Sequence, residues 1–196
     1  MHFNVKLLSV TRSEKELGQI ARFCHTPVGT SLDEEGSDYE AIAVRCFQRK
    51  HMSVFEFADL LYDVTCPIYV ARQLFRHRNG TFMEKSLRHL KPPKLDKGGE
   101  YDPYDEAYRE AVTEYNLLVG SGERKERARA VLPLCTPTEF LWRVSLRSLF
   151  NVFDQRLAKT AQEETRTVVR AMFDLAFEKF PAILQSWQEE KNGTRL

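Results

Sequence analysis

The sequence contains no apolar run near the roughly 20 residues that a membrane-crossing helix needs, so no membrane partner is expected. The first residues, MHFNVKLLSVTRSEKE, lack the apolar core and small-residue cleavage site of a secretory leader, and a cytoplasmic protein is the expectation. An excess of one charge is also missing, with 29 basic against 28 acidic residues. A protein that coats nucleic acid usually carries a basic surplus, so any anion site here must be local, and no nucleic-acid partner is expected. Cysteine is sparse and scattered at Cys24, Cys46, Cys66 and Cys135. With no CxxC pair and no Cys/His set at zinc spacing, neither a metal nor a disulfide framework is expected. None of the four has sequence neighbours that clearly activate a thiolate, so each reads as a small buried hydrophobe. Internal repeats and low-complexity segments are absent.

What is present is an ordinary globular composition, 42% hydrophobic and 29% charged over 196 residues, enough for one domain spanning 1–196 with a real core. Residues 2–9 read as a strand and 12–23 as a helix with Leu17, Ile20 and Ala21 on one face. A turn-rich loop over 26–38 ends at Asp38, a candidate cap for a helix through Ala41, Ile42, Val44, Cys46 and Phe47. Periodicity leaves 53–65 open between strand and helix. After Pro67, IYVARQLF reads as a short helix, 81–89 as extended and 90–102 as loop. Tyr104 to Leu118 follow helical spacing up to the Gly120-Ser121-Gly122 stop. A short helix over 123–132, a helical stretch over 138–158 and a helix over 160–180 follow, the last with a stripe of Ala161, Val168, Met172, Leu175 and Ala176 ended by Pro181. Strands mix with helices without regular alternation, which points to an α+β fold around an antiparallel-rich sheet.

Chemistry concentrates between positions 76 and 88, where Arg76, His77, Arg78, Glu84, Lys85, Ser86 and Arg88 crowd together. Guanidinium groups grip phosphate through paired, charge-assisted hydrogen bonds. A serine adds a hydroxyl donor, and Gly80 permits close backbone approach to a ligand. On an extended segment Glu84, Ser86 and Arg88 share a face, combining an acceptor for a base N–H with phosphate donors. A nucleotide suits that set; a solvated charged loop is the plainer alternative.

The spacing decides between them. RHRNGTFMEKSLRH over 76–89 resembles the RHRxxSxNxxSxRY signature of the flavin-dependent thymidylate synthases: Arg76, His77, Arg78, Ser86 and Arg88 match, and Thr81 stands conservatively for the first serine. HMSVFEF upstream, PIYVARQLF leading into the motif, and ERARAVLPL and LRSLFNVFDQRLAKTAQEE downstream resemble further blocks of that family, together spanning roughly residues 40–180.

The resemblance implies that Gln73, Arg76, Glu84, Ser86, Arg88, Arg129 and Arg156 hold a pyrimidine nucleotide, with Arg129 reaching in from a neighbouring subunit and Arg156 facing the ring. It implies that His51, Ser53, Glu56, His77, Arg78, Asn79, Arg147 and Asn151 line FAD. Arg156, His51 and Ser86 stand closest to the chemistry, Ser86 as a ligand contact rather than a nucleophile. The implied reaction is methylation of the uracil 5-position, dUMP to dTMP, with methylenetetrahydrofolate as carbon donor, reduced FAD as hydride donor and NADPH as reductant. The implied assembly is a homotetramer with active sites shared between subunits, which requires an exposed apolar surface. Taken alone, Arg129 reads as a surface helix residue, Arg156 as a helix-face charge and His51 as a structural histidine.

The sequence departs from the family at Met83, His89, Phe57, Ser145, Thr160 and Cys24. These departures leave open the same chemistry on UMP, of the kind associated with nucleoside-antibiotic pathways. They also leave open a module that binds nucleotide or flavin without turnover.

Overall fold

The computed structural model describes residues 3–29, 37–94 and 103–193. Much of the loop expected over 26–38, and the latter part of that over 90–102, lie outside the described residues. In chain order the elements are β1 (Asn4–Val10), α1 (Glu14–Arg22), α2 (Tyr39–Gln48), β2 (Asp59–Pro67), α3 (Ile68–Leu74), β3 (Gly80–Glu84), α4 (Pro103–Gly120), α5 (Lys125–Ala128), β4 (Pro137–Ser145), α6 (Leu146–Arg156), α7 (Glu163–Phe177) and α8 (Pro181–Gly193). The strands form one sheet in the order β1-β2-β4-β3, with every neighbouring pair antiparallel. The α+β expectation holds.

Side chains alternate across a strand with period two, and the sheet uses this to separate its faces. Leu60, Tyr62, Val64 and Cys66 of β2 are buried beside Thr138, Phe140, Trp142 and Val144 of β4. Phe82 of β3 joins them, opposite Trp142 in register and stacked on it at 4.8 Å. Helices α6 and α7 pack within the same core, Leu149, Phe153, Val168 and Met172 being fully buried. Each such side chain contributes about 1.5–3 kcal/mol by leaving water. The Tyr62 hydroxyl donates to the Met172 carbonyl at 3.1 Å, so this buried polar group ties sheet to helix instead of destabilising the core.

The reading of 138–158 as helical is corrected over its first third, which is strand β4. Thr138, Phe140, Trp142 and Val144 are buried while Leu141 and Arg143 are exposed, a period of two, and the partners that satisfy this backbone lie some eighty residues away in β2, from Asp59↔Ser145 to Pro67↔Pro137. Ser145 then caps α6, its Oγ accepting from Ser148 N at 3.2 Å. Residues 53–65 divide into a 3-10 turn at Met52–Phe57 followed by β2. The extended reading of 81–89 holds only to Glu84, because the chain turns at Ser86. The last long helix begins at Glu163, so Ala161 falls in the preceding turn. Pro181 does more than end a helix. As the first residue of α8 it needs no helical N–H partner and brings a suitable φ.

Local signals hold elsewhere. Ser13 and Glu16 form a capping box on α1, Ser13 N donating to Glu16 Oε2 at 2.7 Å, and Asp38 Oδ1 accepts from Ala41 N at 3.0 Å. The α1–α2 crossing is close enough that a Cβ on Gly18 would meet the Tyr39 carbonyl at 1.9 Å. The buried Glu14 carboxylate accepts from Ile183 N at 2.8 Å, satisfying one of the free donors at the start of α8. Burial pushes its pKa up, against the pull of those backbone N–H groups.

Candidate active site

Helix α3 emerges from the core strand β2 and delivers Gln73 and, just past its end, His77, whose N–H donates to the Leu74 carbonyl at 3.0 Å. Arg156 arrives from the last turn of α6, where a cation suits the helix's negative end. Its Nε donates to His77 Nε2 at 3.0 Å and its Nη2 to the Gln73 carbonyl at 3.2 Å. His77 is half-buried against Trp142, with ring centroids 6.3 Å apart. Desolvation, and then the Arg156 charge, lower its pKa, so it stays neutral and acts as acceptor. Two bonds therefore aim the Arg156 guanidinium while Nη1 keeps its donors. Resemblance assigned His77 to flavin and Arg156 to nucleotide; the structure bonds the two together.

A second group forms where β3 ends. Glu84 Oε1 accepts from the Thr138 hydroxyl at 2.6 Å, and Lys85 N donates to the Glu139 carbonyl at 2.9 Å. The chain then turns, His89 N and Leu90 N donating to the Ser86 carbonyl at 3.1 and 3.0 Å. This overturns the expectation that Glu84, Ser86 and Arg88 line one face of a strand. Arg88 is instead carried over to α5, its Nη2 lying 3.6 Å from Glu126 Oε2. Arg129 Nε donates to the Glu126 carbonyl at 3.2 Å. The turn, in which Arg88 N donates to the Ser86 hydroxyl at 3.3 Å, thus carries the Arg88 guanidinium to the short helix that bears Arg129, and both guanidinium groups are exposed donors of the kind an anion takes.

The third group is exposed. Glu56 pairs with Arg147, and Asn151 lies one turn along the same helix, its Oδ1 accepting from Gln155 at 2.9 Å. His51 precedes the turn that carries Glu56 and Ser53 lies within it, both exposed, with His51 N donating to the Cys46 carbonyl at 2.9 Å. Arg76, Arg78 and Asn79 are exposed beyond α3, and neither arginine makes an ion pair among the described residues. No side-chain hydrogen bond among the described residues joins this group to Gln73, His77 and Arg156.

Among the departures, Ser145 is the α6 cap, a role serine and asparagine fill about equally. Met83, 72% exposed, projects from the sheet face opposite Phe82. Phe57 is 59% exposed, and Thr160 and His89 are exposed; the reading of all four cysteines as buried is corrected, since Cys24 is exposed in a 3-10 turn, Cys46 and Cys135 are partly buried and Cys66 alone is buried. Burial pushes the Cys66 thiol up to about 12 and also raises Cys46, so neither offers a thiolate. Among the described residues no His, Cys, Asp or Glu cluster could hold a metal, and no helix is long and apolar enough to cross a membrane.

Sequence reading missed Gln162, Thr138 and Glu126. Gln162 Oε1 accepts from Gln73 Nε2, and no spacing signal could pair residues so far apart in the chain. A cavity beside the motif, lined by Lys85, Leu87, Leu90, Thr138 and Glu139, is about 170 Å³, below the roughly 300–1,000 Å³ of ordinary ligand pockets.

A fold of helices on one antiparallel sheet, with Arg156 aimed by the half-buried His77 and Gln73, defines the class of protein. Residues 6–182 match the family model described as thymidylate synthase complementing protein. The chain is 30% identical over 213 residues to the flavin-dependent thymidylate synthase of Thermus thermophilus, covering 94% of this chain and 75% of that protein. It is 26% identical to the enzyme of the same name from Synechocystis, over 92% of this chain and 97% of that one. Its fold is similar to the crystal structure of a UMP/dUMP methylase, PolB, from Streptomyces cacaoi bound with 5-Br dUMP, at a TM-score of 0.80 and 23% identity over 96% of this chain and 95% of that one. The chain belongs to the flavin-dependent thymidylate synthase family and is a methyltransferase of that type.

Proposed function

We propose that the protein methylates the 5-position of a uracil nucleotide, converting dUMP to dTMP, with methylenetetrahydrofolate as carbon donor and NADPH as ultimate reductant. The observation that carries this is Arg156, half-buried and oriented by His77 and Gln73. For the 5-carbon to attack, the ring must carry enolate-like negative charge shared between that carbon and the 4-carbonyl, and a pre-aimed guanidinium stabilises such charge without reorganising. In this reading Gln73 and Glu84 meet the base. Ser86, Arg88, Arg129 and Arg76 supply donors for the phosphate.

The exposed group fits FAD by its chemistry. Arg78 and Arg147 are exposed guanidinium groups suited to a diphosphate, Arg147 already oriented by Glu56, and His51, Ser53, Glu56, Asn79 and Asn151 offer hydrogen bonds to a polar heterocycle. When bound, FAD supplies the hydride that completes the methyl group. The chain's own residues bind and orient, and His77 stays neutral to hold Arg156.

We read the working form as a cytoplasmic homotetramer of single-domain chains over 1–196. Leu8, Met83 and Leu141 are 50%, 72% and 37% exposed, and the last two share the outer face of the sheet, which supports burial against another copy. Arg129, exposed and lightly held, suits reaching a neighbouring subunit's nucleotide. UMP is the second reading, favoured by the fold's similarity to a methylase whose name covers both nucleotides. An anaerobic reaction with FAD, NADPH and methylenetetrahydrofolate, offered dUMP and UMP separately and read by mass spectrometry, tests both. A product 5-methylated on the base is expected; no product from either nucleotide overturns the proposal in favour of a non-catalytic binding module.

A further inference from the structure

Between Arg156 and α7 the chain makes an irregular turn over residues 157–162, closed by Ala161 N donating to the Ala158 carbonyl at 3.0 Å. Arg166, in the second turn of α7, folds back onto it. Its Nη1 donates to the Lys159 carbonyl at 2.9 Å and to the Ala161 carbonyl at 2.8 Å. A cation near a helix N-terminus is electrostatically unfavourable, and these two charge-assisted bonds to otherwise free carbonyls offset that. The turn ends at Gln162, whose side chain meets Gln73. One helical turn earlier on α3, the Tyr69 hydroxyl donates to Glu164 Oε1 at 3.2 Å. Two rungs therefore join α3 to the start of α7. Gln73, in the nearer rung, also accepts from Arg156 through its carbonyl.

We propose that Arg166 is a positioning residue for the nucleotide site: by clamping the 157–162 turn it seats Gln162 against Gln73 and so fixes the register of Gln73 and Arg156. The inference rests on the proposed role of those two residues. Arg166 need touch no ligand. Without the clamp the Gln73–Gln162 rung must compete with water, and Gln73 loses the orientation in which it faces a substrate.

The test uses the full chain with FAD, titrated calorimetrically with dUMP and with UMP and assayed for methylation. Arg166→Ala is expected to weaken nucleotide binding about tenfold, the scale of a few lost net hydrogen bonds, and to lower kcat/KM at least as much. Gln162→Ala should reproduce the loss, and the double variant should be no worse than either single one, since coupled residues are non-additive. Arg166→Lys, which keeps a donor, should recover part of the affinity. If Arg166→Ala fails to fold, Gln162→Ala and Arg166→Lys carry the comparison. Wild-type affinity and kcat/KM in the Arg166 and Gln162 variants, or fully additive losses, overturn the proposal. Arg156→Ala is the control: loss there with none in the Arg166 series sinks the clamp alone. Full activity in Arg156→Ala, or no binding of either nucleotide by the wild type, sinks the site reading and the clamp together.

Discussion

The two ends of the proposed nucleotide site are built differently. At the ring end, Arg156, His77 and Gln73 interlock in a half-buried cluster walled by Trp142 and Phe82. At the phosphate end, Arg88 is 57% exposed, and among the described residues its side chain is held by a 3.6 Å contact with Glu126 of α5. Exposed ion pairs contribute about 0–1 kcal/mol and weaken with salt, whereas bonds shielded from water keep their strength. The ring end is thus set before substrate arrives, and the phosphate end is completed by it. That division fits a methylation in which orientation of the ring limits the chemistry while charge collects the nucleotide.

The largest expected effect is at the prebuilt end. Arg156→Ala should lower kcat by roughly 10²–10³, the usual loss when one preorganised donor is removed, with an unchanged far-ultraviolet circular dichroism spectrum. A loss under tenfold would remove the distinction between the ends. Arg88→Ala should act mainly through KM, raising it about 10- to 100-fold for a charge-assisted bond of roughly 1.5–3 kcal/mol. That defect should shrink as salt rises in the wild-type comparison, and a salt-independent defect would count against an exposed phosphate contact. Gly80→Ala tests the rigid wall itself. Its Cβ would meet Trp142 Nε1 at 2.5 Å and the Arg143 carbonyl at 2.9 Å, so urea denaturation should show a loss of about 1–3 kcal/mol, typical of overpacking. Wild-type stability would show that β3 shifts freely.

The smallest expected effect is of pH. Because the folded-state pKa of His77 is lowered, the unfolded chain binds its proton first, and this group's contribution to stability is lost as pH falls below about 6.5. Protonation also removes the acceptor for Arg156 Nε. Activity should decline on that acid limb with stability following, and His77→Gln, which keeps an acceptor, should flatten it. An unchanged limb in that variant assigns it to another group.

How far these features could be read in advance varies with the range of the interaction. Asp38 and the stop after Gly120 act within a few residues, and their elements were legible. Strand β4 was not, because FLWRVSLRSLF places apolar residues at spacings compatible with a helix, and only pairing with β2 selects the strand. Helix α8 was missed because Pro181 signals an end and a beginning alike. In the site, Arg76, His77, Arg78, Ser86 and Arg88 were legible as a motif, but the turn at Ser86 was not, since its bonds lie in the backbone and its consequence is a contact with α5.

The sequence by itself determined the chemistry on offer: a dense set of arginines with a serine and a glutamate in a family's spacing, and a composition suited to one packed α+β domain. Residue type and local periodicity suffice for that. The tertiary structure alone decided that Arg156 is aimed by His77 and Gln73, that Arg88 and Arg129 flank Glu126, and that Gln162 meets Gln73. Each of these is a hydrogen bond or charge contact made by packing one element on another. The paired residues 73–162 and 77–156 stand too far apart in the chain for any local pattern to record their meeting.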